Sequence, residues 1–374
     1  MKKKAITMFT AWVCVFGLAV SCSGGTEEGT EKNVLVTSVM DYDQFNNILL
    51  TTTREEMEKT GFTPGDEITV EIGGSSYDVP YYTGYFTRNE ELVIVDYPSI
   101  KNTIFTAKNT GVKDRFPDMK GKTVKMTLKE KGAYADVQRT LGRKYTNDRD
   151  DYLSDEMFAN AREVATTGMK RGVLYRTASP FDNVYGRAPY VAEFLMGNGV
   201  KTALDLTDNA DMLRGYADVP AYARQMVEAG DVVLCKVDAN YRGEKFNRTV
   251  VEGLVEMMGH PAPYVVHCTE GKDRTGYVCA MLEALTGATY EEIAADYLLS
   301  FYNYYLISQE NDATACRLLL DLTLDDAMMF FCHVDDAGLL RSMNLREAME
   351  QHLMRYGMTA EQVKDLEELL QEQD

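Results

Sequence analysis

Along residues 34–139 apolar and polar positions tend to exchange every second residue, the period of a half-buried β-strand. Val124-Lys125-Met126-Thr127-Leu128 shows the alternation at its cleanest. The same reading predicts strands at 34–40, 67–72, 76–82, 92–96 and 123–129, separated by Pro64-Gly65, Gly73-Gly74 and Gly121. Thr53-Arg54-Glu55-Glu56 has the form of a capping box and opens a short helix ending near Gly61. Residues 34–150 are therefore expected to form a small all-β domain, a barrel or a sandwich. No cluster of reactive side chains stands out within it, so its expected role is that of a spacer or a partner surface.

The segment 144–155 is charged and loop-like, and the period changes after it. Helices at 188–198, 219–229 and 246–258 are each followed by a glycine, namely Gly199, Gly230 and Gly259, and then by strands at 200–206, 232–237 and 264–267. Repeated units of this kind predict an α/β fold over 151–374, a mainly parallel sheet with helices on both faces. Ligands of such sheets sit at the carboxyl ends of the strands. Thr289-Tyr290-Glu291-Glu292 caps a further helix through 299, and Thr359-Ala360-Glu361-Gln362 caps a last amphipathic one carrying Val363, Leu366, Leu369 and Leu370.

The first residues alter the setting. Lys2-Lys3-Lys4, an apolar run over 5–20 and Ser21-Cys22-Ser23-Gly24-Gly25 predict a signal peptide over 1–21, with Cys22 as a lipid-accepting N-terminus. The run is too short and its flanks are wrong for a membrane span. Residues 22–33 then read as an acidic, solvated tether. The expected location is outside the cytoplasm, periplasmic or at the cell surface, held to a bacterial membrane by lipid alone. A formal net charge of −19 excludes nucleic acid as a partner and disfavours docking on anionic lipid.

Against that negative body, one stretch has the makings of an anion site: His267-Cys268-Thr269-Glu270-Gly271-Lys272-Asp273-Arg274-Thr275-Gly276. It joins the apolar strand Tyr264-Val265-Val266 to the packed helix that begins near Tyr277. A tight loop there, with backbone N–H groups from Thr269 to Arg274 turned inward at a helix N-terminus, binds phosphate. The same field favours a thiolate at Cys268 and makes it a nucleophile. Arg274 supplies a forked guanidinium for two phosphate oxygens, Thr275 a hydroxyl for the sulfur, Gly271 the backbone freedom, and His267 an orienting group behind the loop. The remaining cysteines of the exported part, Cys235, Cys279, Cys316 and Cys332, are expected to be buried thiols, although spacing leaves a Cys316–Cys332 bridge open.

On these residues the chain resembles the cysteine-dependent tyrosine phosphatase superfamily, and within it the bacterial group whose loop reads His-Cys-x-x-Gly-Lys-Asp-Arg-Thr-Gly. Three further stretches resemble that group: Leu174-Tyr175-Arg176-Thr177-Ala178-Ser179-Pro180, Val200-Lys201-Thr202-Ala203-Leu204-Asp205-Leu206 and Asp296-Tyr297-Leu298-Leu299-Ser300. The resemblance implies a phosphomonoester hydrolase with a cysteinyl-phosphate intermediate, no cofactor, and a phosphorylated protein or small phosphomonoester as substrate. Loops of this Lys-Asp-Arg type also resemble those of phosphoinositide and inositol phosphate phosphatases, which is the alternative substrate class. A phosphate-binding surface lipoprotein without turnover is the alternative of a different kind. Metal hydrolysis is not expected, because His260, His267, His333 and His352 are the only histidines and none pairs at ligand spacing.

The general acid is the open choice. The single tryptophan is Trp12, within the leader, so the Trp-Pro-Asp loop of the eukaryotic enzymes is excluded. Asp238, after the strand at 232–237, is the favoured acid. Asp273, inside the loop, is the other candidate, with a loop-shaping salt bridge as its structural alternative. Lys272 is expected to add positive charge at the rim, and Glu270, where an alanine would be usual, to face outward. Arg176, Asn183 and Arg187 either line the pocket or form a buried ion pair beneath the loop. The aromatic run Phe301-Tyr302-Asn303-Tyr304-Tyr305 is either core packing or a wall that stacks on an aryl phosphate.

Overall fold

The computed structural model describes residues 33–372. The expected signal peptide, the acceptor Cys22 and Trp12 lie outside the described residues. Seven strands close into a barrel: β1 (Val34–Tyr42), β2 (Ile48–Thr53), β3 (Glu67–Ile72), β4 (Ser75–Tyr82), β5 (Leu92–Val95), β6 (Asn102–Ala107) and β7 (Thr123–Glu130). Their order around the barrel is β1-β2-β6-β5-β4-β3-β7, antiparallel throughout except for the β4–β5 pair. On β7, Val124 and Met126 enter the barrel core with Val70, Tyr81 and Phe105, while Lys125 stays outside and pairs with Glu71 at 2.6 Å. Strands β2 and β6 were not foreseen. The barrel is also not purely β, since it carries the helices Arg54–Lys59 and Ala135–Leu141. Thr53 and Glu56 form the capping box expected of the first of these.

The second sheet has the order β11-β10-β12-β9-β8, built from β8 (Arg162–Glu163), β9 (Leu174–Thr177), β10 (Thr202–Asp205), β11 (Val232–Leu234) and β12 (Tyr264–His267). All neighbours run parallel except the short edge strand β8. Alternate residues of β12 enter different cores: Tyr264 and Val266 pack with the helix Asp273–Thr286, and Val265 packs with Val191 and Leu195 of the helix Ala188–Gly197. Both faces of this sheet are thus covered, and its inner strands β9, β10 and β12 are fully buried. The helix expected to stop at 299 runs on as Tyr290–Tyr305, and the final helix Ala360–Leu370 has its expected cap at Thr359.

The described residues, 33–372, form one compact unit, and the segment around 150 lies within it. Arg88 of the barrel bonds Asp321, and Lys108 Nζ donates to the Leu322 carbonyl at 3.1 Å. Both partners lie in Leu320–Leu324, a π-helical stretch between the helices Ala313–Leu319 and Asp325–Cys332, none of which the sequence pattern announced. Among the described residues no helix is long and apolar enough to cross a membrane.

Candidate active site

Strand β12 ends at His267, and Cys268 is the first residue beyond it, at the carboxyl end of the sheet. The chain then turns through Thr269–Lys272 and enters the helix Asp273–Thr286. Gly271 makes that turn possible. Its φ is +67°, and a Cβ there would lie 2.2 Å from the Thr177 carbonyl oxygen, so the loop presses directly on the end of β9. No backbone N–H from Thr269 to Thr275 donates to a backbone acceptor among the described residues. A run of unpaired amides at a helix N-terminus is an anion cradle.

Arg274 is clamped over this cradle by the ends of two neighbouring strands. Its Nη1 donates to the carbonyls of Leu206 and Val237, each at 3.2 Å, and its Nη2 to Thr269 Oγ1 at 3.1 Å. Cys268, Thr269, Glu270, Asp273, Arg274 and Ala239 line a hollow of about 370 Å³. Thr275 is buried, and its hydroxyl has no hydrogen-bond partner, the sulfur included. His267 is buried against the edge of Phe181, with ring centroids 5.3 Å apart. Burial holds its imidazole neutral, with a pKa lowered to about 4.

A network of buried charge supports the loop from below. Arg176, at the centre of β9, donates to the Gly271 carbonyl at 3.1 Å and pairs with Asp296. Asp296 also receives Arg162 Nε at 2.6 Å. Burial alone would raise the Asp296 carboxyl, but Arg162 and Arg176 overcome this and lower it to about 2. Of the two roles open to Arg176, the ion pair beneath the loop is therefore the one observed. Arg187 takes neither role. It is buried with its guanidinium 4.3 Å from the Phe158 ring centroid and donates to the Thr146 carbonyl at 3.2 Å, tying down the segment that leads in from the barrel. Asn183 Oδ1 accepts from Ala188 N–H at 3.2 Å and serves the start of a helix.

The two candidate acids separate. Asp273 lines the hollow. Asp238 is exposed beside Ala239, and its carboxylate accepts from the Asn240 backbone at 2.9 Å, closing its own turn.

Glu270 and Lys272 depart from expectation. Glu270 is among the residues lining the hollow, but its carboxylate is not turned out to solvent: Oε1 accepts from Tyr145 at 2.6 Å and Oε2 lies 2.8 Å from Lys272 Nζ, two groups that do not themselves line it. Burial would raise its pKa, but the Lys272 charge and these hydrogen bonds leave it lowered. Lys272 is not a free charge at the rim: its Nζ sits 5.4–5.7 Å from the ring centroids of Phe301, Tyr304 and Tyr305. Phe301 and Tyr304 are buried, so the aromatic run packs the core and boxes this lysine.

Sequence reasoning missed Tyr145, Asn160 and Tyr304 as loop supports. Asn160 donates to the Glu270 carbonyl at 3.0 Å and Tyr304 to the same oxygen at 2.7 Å. Asn160 ends a helix in the left-handed region at φ 48°, a position asparagine tolerates, which is the one local signal it offered. Among the described residues the other cysteines, Cys235, Cys279, Cys316 and Cys332, are free and buried, with no Cys316–Cys332 bridge, and burial raises Cys235, Cys279 and Cys332 to about 12.

A family profile described as "Tyrosine phosphatase family" matches residues 156–372. No curated protein matches the chain. Among solved structures, an uncharacterized conserved protein from Thermotoga maritima aligns over 26% of this chain and 37% of its own length, at 13% identity and a TM-score of 0.24.

Proposed function

Because the chain belongs to the tyrosine phosphatase family, we propose that it hydrolyses phosphotyrosine through a cysteinyl-phosphate intermediate. In the first step Cys268 Sγ bonds to phosphorus as the ester P–O bond breaks, and the leaving oxygen takes a proton from Asp273. In the second, water attacks phosphorus, the P–S bond breaks, and Asp273 takes the proton that water gives up. Arg274 and the loop amides stabilise the equatorial oxygens in both steps. Thr275, whose buried hydroxyl has no partner in the resting site, becomes a donor to the departing sulfur. Asp273 is assigned the acid role over Asp238 because it lines the hollow and Asp238 does not.

One observation carries this reading: Cys268 lines a hollow beside Arg274, on a loop whose amides from Thr269 to Thr275 have no backbone acceptor among the described residues. The test is turnover of a phosphotyrosine peptide under reducing conditions by the wild type and by Cys268→Ser. Loss of about 10³-fold or more in the variant is expected, together with a phosphocysteine on quenched wild type. Undiminished turnover by Cys268→Ser, or a wild type that binds phosphate and never turns over, would overturn the reading.

The setting we propose for this activity is outside the cytoplasm, with the chain held to a membrane by lipid on Cys22. Fatty-acid labelling of the wild type and not of Cys22→Ala is expected; equal labelling of both would refute the anchor.

A further inference from the structure

We propose that Glu270 is a selectivity gate: it holds Lys272 away from the hollow, so that the site accepts a single phosphoryl group and discriminates against polyphosphorylated polyols. This rests on the phosphatase reading above and deepens it.

The geometry has three parts. First, the only cationic group lining the hollow is Arg274, and it is already oriented by three hydrogen bonds. Lys272 stands one residue from Asp273 in sequence, with Nζ 3.8 Å from that carboxylate and 2.8 Å from Glu270, so it reaches the boundary of the hollow without lining it. Second, Lys272 is held there from several sides, by Glu270, by the Tyr305 hydroxyl at 3.2 Å and by three aromatic rings. Its side chain is 11% exposed. An ammonium so enclosed is not available to a second phosphate. Third, Glu270 is itself immobilised. Tyr145 donates to its carboxylate, and Asn160 and Tyr304 donate to its carbonyl. A carboxylate fixed on a residue that lines an anion site repels added negative charge, and a polyphosphate brings more of it than one phosphoryl group does.

Binding separates this inference from the catalytic reading. In a Cys268→Ser background, the affinities for phosphotyrosine and for inositol hexakisphosphate are measured by calorimetry with Glu270 present and with Glu270→Gln. The expected result is a gain for the hexakisphosphate exceeding any gain for phosphotyrosine by about tenfold or more, the size of one charge-assisted phosphate contact. Adding Lys272→Met to Glu270→Gln should erase that excess. Equal gains for both ligands would reduce Glu270 to a local negative charge. No excess, or an excess that survives Lys272→Met, would overturn the proposal, as would loss of both affinities with a lowered melting temperature, which marks Glu270 as loop support alone. Absence of turnover by the Cys268 protein would defeat the catalytic reading and leave this affinity ratio still decisive for the gate.

Discussion

The barrel and the carboxyl end of the parallel sheet each bury a pair of carboxylates, and they treat them in opposite ways. In the barrel, Asp66 accepts from the backbone of Thr63 at 2.7 Å and Gly132 at 2.9 Å and pairs with Lys131 at 2.9 Å. Asp96 accepts from Thr103 at 2.7 Å and from Tyr81. At the sheet end, Asp205 and Asp208 each leave one oxygen without a partner, and so do both ring nitrogens of His267 and the hydroxyl of Thr275. Burial, then the neighbouring Asp205, pushes Asp208 up to about 6. Buried polar groups are ordinarily paired because each orphan costs about 1–3 kcal/mol. A barrel with both carboxylates fully paired needs no explanation beyond its own stability. The barrel has orphaned atoms too, at Arg54, Thr87 and Thr127, but no carboxylate oxygen is among them, whereas at the sheet end two are.

The sharpest way to break the contrast is to remove a charge from each region. Asp296→Asn leaves Arg162 and Arg176 buried beside a neutral amide, and breaking a buried network of this kind costs about 3–5 kcal/mol. Glu71→Gln breaks only the barrel's pair with Lys125, in which both side chains are more than 40% exposed, and should cost under about 1 kcal/mol. Urea midpoints of the two variants measure the difference. Turnover adds a second readout, because Arg176 also holds the Gly271 carbonyl: Asp296→Asn should lower kcat and Glu71→Gln should not. Equal stability losses would remove the distinction drawn between the two regions.

Legibility in the sequence follows the same division, for physical reasons. The loop from His267 to Gly276 stands out in the sequence because its reactive side chains lie within ten consecutive residues between a strand and a helix. In the barrel two strands offered no readable alternation. On β6 every residue after Asn102 is buried, so no alternation exists to be seen. On β2 the run Ile48-Leu49-Leu50-Thr51-Thr52-Thr53 places threonine on both faces, with Thr52 buried and Thr51 exposed. Alternation cannot register a strand of that kind. Glu270 and Lys272 were misplaced because what fixes them is non-local: Tyr145 bonds Glu270 across 125 positions and Tyr305 bonds Lys272 across 33. Arg176 and Asp296 were named in separate stretches, yet their pairing spans 120 positions and no local pattern announces it.

A smaller effect sharpens the comparison through pH. All four histidines lie in the α/β part and none in the barrel. His352 is the cleanest of them to test, since it lies away from the orphaned carboxylates. It is buried, its Nε2 is 2.9 Å from Asn247 Oδ1, and the groups that face it are His333, Arg355, Phe330, Phe331 and Tyr356. Burial, then the charges of His333 and Arg355, lower its pKa to about 3. The unfolded chain, with histidine near 6.5, therefore binds the proton more readily than the folded one. Stability from this site is complete above about pH 6.5 and declines as pH falls toward 3, by about 2 kcal/mol between pH 6.5 and 5. His352→Gln keeps a neutral hydrogen-bonding side chain and has nothing to titrate. The gap in unfolding free energy between wild type and His352→Gln should therefore shift by that amount, against the wild type, on going from pH 6.5 to pH 5. A constant gap would mean that His352 is protonated in the folded protein and that its burial is less complete than the packing shows. A shift of the opposite sign would mean that folding raises its affinity for the proton, which the two neighbouring cationic groups oppose.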